Sequence, residues 1–111
     1  MAIGYVLLGT LSDDVDRNAY TFTPTTYPTA DRISILAVMN TKGASAPANL
    51  PTVSGLSVVC DQIQTQTFPG VAAGALLRRL TLFRFCDAAP AQTGSLTIDF
   101  AGVTQTSCLA S

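Results

Sequence analysis

The stretch from Ser95 to Phe100 is apolar at Leu96, Ile98 and Phe100 and polar at Thr97 and Asp99. This period-two alternation marks a strand with one face buried and one face wet. Arg32 to Met39 behaves differently, because Ile33, Ile35, Ala37 and Met39 alternate with Ser34, Leu36 and Val38. Apolar groups on both faces predict a central strand. Further strands are predicted over Ile3 to Leu11, Ala19 to Thr23, Thr52 to Ser54, Leu56 to Gln64, Ala75 to Cys86 and Val103 to Leu109, each rich in Thr, β-branched or aromatic residues. The long run ending at Cys86 has a helical length, but Phe83-Arg84-Phe85 favours a strand. Breakers fill the intervals. A turn is predicted at Asp13 to Asn18, stops at Pro24 and Pro28, and a surface loop over Asn40 to Pro51. A connection follows over Thr65 to Gly74, a loop over Asp87 to Gly94, and a turn at Ala101-Gly102. Seven or eight short strands punctuated in this way predict a single all-β domain spanning Met1–Ser111, an antiparallel β-sandwich of jelly-roll-like arrangement with almost no helix. The core is expected from Ile33, Ile35, Leu80, Leu82, Phe83, Leu96, Ile98 and Phe100.

Composition changes this picture mainly by exclusion. The 111 residues are 48% hydrophobic and 12% charged, enough apolar material for one core. Histidine and tryptophan are absent, and all seven acidic residues are aspartate. Without histidine there is no Ser-His-Asp or Cys-His nucleophile and no imidazole metal ligand. The net charge of −1, with Arg78 and Arg79 on opposite faces of a strand, argues against a nucleic-acid backbone as partner. No run reaches the roughly 20 apolar residues of a membrane-spanning helix. The opening MAIGYVLLGTLSDD has no Lys or Arg before its apolar stretch and no clear cleavage site, so it does not read as a secretory signal. Cys60, Cys86 and Cys108 are odd in number and widely spaced. They fit either buried small hydrophobes in a reducing cytosol or an intersubunit disulfide formed after release.

Few constellations carry chemistry. Asp14-x-Asp16-x-Asn18 has the oxygen spacing that opens a calcium loop, but Ala19 stands where glycine and Thr25 where the bidentate glutamate belong, so a solvated turn is expected. Asp61, Asp87 and Asp99 share no motif that would make two of them a catalytic carboxylate pair. Ser54, Ser57 and Ser107 lack a base, and no glycine cluster precedes a helix to cradle phosphate. Most aromatic rings fall at core positions, leaving Tyr27 exposed between Thr26 and Pro28, which is thin material for a sugar-stacking platform. No catalytic residue, metal or cofactor is expected.

Three segments taken in order resemble a known group. They are YTFTPTTYPTADRISILAVMNTKG (Tyr20 to Gly43), LPTVSGLSVV (Leu50 to Val59) and RRLTLFRFCDAAPAQTGSLTIDFAGVTQTSC (Arg78 to Cys108). Together they are similar to small β-sandwich modules of tailed-bacteriophage structural proteins. Modules of that group often run past the cysteine into another apolar strand, whereas this sequence stops at Ser111. The departure implies a short last strand or one supplied by a neighbouring subunit. The resemblance implies a non-enzymatic virion component, in its strongest form a capsid decoration (cement) protein. Such a protein is made in the host cytoplasm and sits on the capsid exterior, where it clamps subunits of the major capsid protein as a homo-oligomer, with a trimer favoured. The alternative is a receptor- or glycan-binding module of a tail fibre. Candidate intersubunit or capsid contacts are Ile3, Tyr5, Val6 and Leu7 in the apolar N-terminal segment, with Tyr27, Lys42, Asn49 and Leu50 in loops.

Overall fold

A computed structural model of the chain describes residues 7–23, 34–43, 50–56, 60–68, 77–85 and 94–111. These residues form eight strands: β1 (Leu11–Asp13), β2 (Ala19–Phe22), β3 (Ile35–Thr41), β4 (Thr52–Gly55), β5 (Cys60–Phe68), β6 (Arg78–Phe85), β7 (Leu96–Asp99) and β8 (Ser107–Ala110). They pair antiparallel in two sheets, one of five strands in the order β1-β8-β3-β6-β5 and one of three in the order β2-β7-β4. Successive strands change sheet at every connection except β5 to β6, which remain neighbours in the larger sheet. This repeated crossing makes the sandwich jelly-roll-like.

The core lies between the sheets. Tyr20, Phe22, Leu96, Ile98 and Phe100 from the three-stranded side meet Leu36, Val38, Phe83, Cys108 and Ala110 from the five-stranded side. β7 behaves as its alternation predicts: Leu96 and Ile98 are buried, and Thr97 and Asp99 are exposed. Tyr20 and Phe100 meet edge to face at 6.0 Å between centroids, with planes at 86°.

Other expectations are corrected. Ile35 is 47% exposed, because the face of β3 that turns inward carries Leu36, Val38 and Asn40. In β6 the inward set is Thr81 and Phe83, so Leu80 and Leu82 lie half-buried on the outside of the sheet. Leu82 and Phe83 are consecutive and cannot share one face of a strand. Ile33 lies outside the described residues. Strand limits also move: Asn40 and Thr41 are buried members of β3 rather than the start of a loop, and Thr65 to Phe68 complete β5 rather than leave it. Of the first predicted strand only Leu11 belongs to β1, and Ile3 to Val6 lie outside the described residues.

The turns have side-chain causes. Asp13 accepts the Val15 N–H at 2.9 Å and the Arg17 Nε at 3.1 Å, while Asp99 accepts the Ala101 N–H at 2.6 Å. Ala101 and Gly102 both have positive φ, at 52° and 79°, and the Val103 N–H closes the turn on the Phe100 carbonyl at 3.1 Å. Gly55, at φ 115°, has no room for a β-carbon, which would run into the Ser95 carbonyl oxygen across β4 and β7.

Candidate functional site

Two surfaces stand out, an end of the sandwich and a face of it. At the end, β3 finishes at Thr41, opposite Ser107 at the start of β8, and β7 finishes at Asp99, opposite Thr52 at the start of β4. Residues 100–106 span from one sheet to the other there and are fastened on both sides. Arg17 and Gln105 exchange backbone hydrogen bonds of 3.1 and 2.7 Å. The Tyr20 hydroxyl points at the carbonyl oxygens of Val15, at 3.0 Å, and Gln105, at 3.1 Å. Beneath them the buried Asn40 donates from Nδ2 to Gln105 Oε1 at 2.8 Å, and Gln105 Nε2 donates to the Val103 carbonyl at 3.1 Å. Thr106 donates from its N–H to the Thr41 carbonyl at 2.8 Å, and the Thr41 hydroxyl donates to the Leu77 carbonyl at 2.7 Å. A fully paired buried network holds backbone in one arrangement. Among the described residues, one side-chain atom, Asn40 Oδ1, is buried without a hydrogen-bond partner.

Of the candidate contacts, Lys42 and Leu50 both lie at this end. Lys42 follows β3 and is half-buried, and Leu50 precedes β4 and is 41% exposed. The Asp13 to Asn18 turn joins them, carrying the exposed Val15 and an Asp13–Arg17 ion pair. The Val15 N–H, with help from the Arg17 guanidinium, holds the Asp13 carboxyl below its ordinary range against the opposing effect of desolvation. Leu7, 63% exposed, is at the opposite end, since β1 begins at Leu11 beside Ala110, the last residue of β8. Cys60 is also at that opposite end, paired with Phe85. Ile3, Tyr5, Val6, Tyr27, Asn49 and Cys86 lie outside the described residues.

The second surface is the outside of the five-stranded sheet. Ile35, Ala37 and Met39 of β3, Leu80 and Leu82 of β6, and Leu109 of β8 all point away from the core. A groove of about 340 Å³ runs among Ala37, Met39, Leu80, Leu109 and Ala110 and is edged by Thr10, Ser12 and Ser111. The sequence reading missed this surface, although its signal was the double-sided apolar pattern of Arg32 to Met39. It also missed Asn40 and Gln105, whose signal is that Asn40 keeps phase with Leu36 and Val38.

Chemistry at single side chains is sparse. The Cys108 thiol is fully buried, with its pKa pushed up by burial, and less by Asp13, to about 12. It is a free, unreactive thiol packed against the core, and as placed it is not presented to a second subunit. Asp61 is paired with Arg84 at 3.0 Å across β5 and β6, and Asp99 caps its own turn. Among the described residues no three Cys or Asp side chains converge where a metal ion could be held. Comparison with protein-family models, with curated proteins and with solved structures finds no match for this chain.

Proposed function

We propose that this chain is a non-enzymatic structural component of a tailed-bacteriophage virion, a decoration protein that binds the outside of the head and bridges subunits of the major capsid protein. The observation that carries the reading is the fastened end of the sandwich. There the exposed Val15 and the charges of Asp13 and Arg17 sit on a turn that the Tyr20–Gln105–Asn40 network ties to both sheets, and Lys42 and the exposed Leu50 lie at the same end, just after β3 and just before β4. Recognition by turns on a rigid scaffold needs little ordering on binding, which favours a tight and specific contact. The ordered motifs of the sequence and the jelly-roll-like crossing of the strands, an architecture in use in virus shells, support the same reading. Fold alone hosts many functions, so the test must address the surface.

The experiment mixes purified protein with intact and emptied phage heads, follows co-sedimentation, and screens the same preparation on a glycan array. Saturable binding to heads, weakened by Leu50→Asp and Val15→Asp together, is the expected result. Glycan binding without head binding would assign the chain to the tail-fibre alternative instead.

A further inference from the structure

We infer that the outer face of the five-stranded sheet is a two-fold interface between two copies of this chain. The middle of the face is built as an interior surface is built, with the exposed Gln64 and Gln66 of β5 along one side as a polar rim. Across three adjacent strands its centre carries Leu109, Met39, Ala37, Leu80 and Leu82, and no charged side chain falls among them. The charges on this face are marginal. Arg84 and Asp61 neutralise each other at one edge, 3.0 Å apart, and Arg78 stands at the far end of β6. Among the described residues no element covers this area, and a contiguous apolar patch rimmed by polar residues marks an interaction surface.

The occupant follows from size and charge. Each strand residue covers about 16 Å² of sheet, so the strands of this sheet present roughly 500 Å² per copy. Two faces together remove about 1,000 Å², the lower bound for a specific interface. A narrow peptide would leave most of the five strands uncovered, whereas a second sheet of the same dimensions covers them all. Packing two sheets at about 10 Å requires interdigitating side chains, and this face offers projecting Leu109, 47% exposed, beside a groove lined by the small Ala37. A projection and a recess on one face are what an isologous contact uses twice. With a net charge of −1 per chain, electrostatic repulsion between copies is small. This two-fold pairing differs from the trimer favoured on the resemblance. It leaves the turn end clear of the contact, so a dimer carries two such ends.

The experiment is sedimentation equilibrium of the intact chain from about 1 µM to 1 mM, a range set by the modest area. The expected result is a reversible rise in mass from 11.5 kDa to twice that value. Leu109→Glu sets like charges against each other near the axis and should weaken dimerisation at least 100-fold, with an unchanged far-ultraviolet circular dichroism spectrum. Thr97→Glu, on the exposed outer face of the three-stranded sheet, should leave it unaltered. If Leu109→Glu fails to fold, Met39→Lys one strand over reads the same face. A chain that stays monomeric at 1 mM, or a dimer that survives the folded variant, overturns the inference. Dimerisation is measured without phage heads, so its failure and the failure of the decoration reading are separate results.

Discussion

The buried pair Asn40 and Gln105 permits a sharp energetic test. Gln105→Met keeps most of the side-chain volume but removes the acceptor for Asn40 Nδ2 and the donor to the Val103 carbonyl. Since Asn40 Oδ1 already has no protein partner, the variant leaves a whole amide buried and unsatisfied. At about 1–3 kcal/mol for each of the two newly stranded groups, Asn40 Nδ2 and the Val103 carbonyl, the expected loss is about 2–6 kcal/mol. Asn40→Leu strands Gln105 Oε1 but also removes the unpartnered Oδ1, so it should cost less, about 1–2 kcal/mol. The double variant takes both amides out together and strands only the Val103 carbonyl. Its loss should fall at least about 1.5 kcal/mol below the sum of the single losses.

Urea unfolding followed by far-ultraviolet circular dichroism gives each term of this cycle at equal m-value. Equal additivity of the two single losses, within about 0.3 kcal/mol, would show that the amides do not act as a pair. A Gln105→Met loss under about 0.5 kcal/mol would refute the burial argument itself.

Three further outcomes are expected. Ile98→Ala, at the fully buried centre of β7 between Tyr20 and Val53, should lose about 2–5 kcal/mol in the same assay. Gly55→Ala should lose more than Gly102→Ala in thermal unfolding, because the first adds a clash with the Ser95 carbonyl to an unfavourable φ while the second meets nothing within 4 Å. Stability should be full below about pH 9 and fall as pH rises toward about 12, since the unfolded thiol ionises near 9.0 while the folded Cys108 holds its proton. The fall approaches about 1.4 kcal/mol per pH unit, and Cys108→Ala should remove that part of the slope and leave the part due to Tyr20, which burial also raises.

The fold class was legible because most strands announce themselves by composition and breakers, and β7 also by alternation. Its polar face, Thr97 and Asp99, leaves only one way to orient Leu96 and Ile98. β3 and β6 carry apolar groups on both faces, so local pattern identifies them as strands without choosing the inward side. The choice is made by partners distant in sequence: Gln105 receives Asn40 across 65 positions, and that fixes Leu36 and Val38 inward and Ile35 outward. The turn end was half legible. Lys42 and Leu50 read as loop residues in the sequence, but their placement at one end of the sandwich follows from strand pairings between distant residues, which no spacing in the sequence reveals.

The misassigned face is itself informative about β3. Apolar residues on both sides of a strand imply burial on both sides, and that physical argument is sound for Ile35 to Met39. The inner side is buried by the three-stranded sheet, through Tyr20, Leu96, Ile98 and Phe100. On the outer side Met39 and Leu80 stay half-buried around the groove, and Leu109 beside them is exposed. The pattern therefore calls for a layer that the described residues of one chain do not supply, and a second copy of the same sheet supplies it with matching dimensions. On this argument the double-sided pattern encodes the assembled state, and the monomer's half of that code is the inward set of Leu36, Val38 and Asn40. The order of effects follows. Substitutions on the inward set should change unfolding free energy at any protein concentration, whereas Leu109→Glu should change it only where the wild-type chain is dimeric.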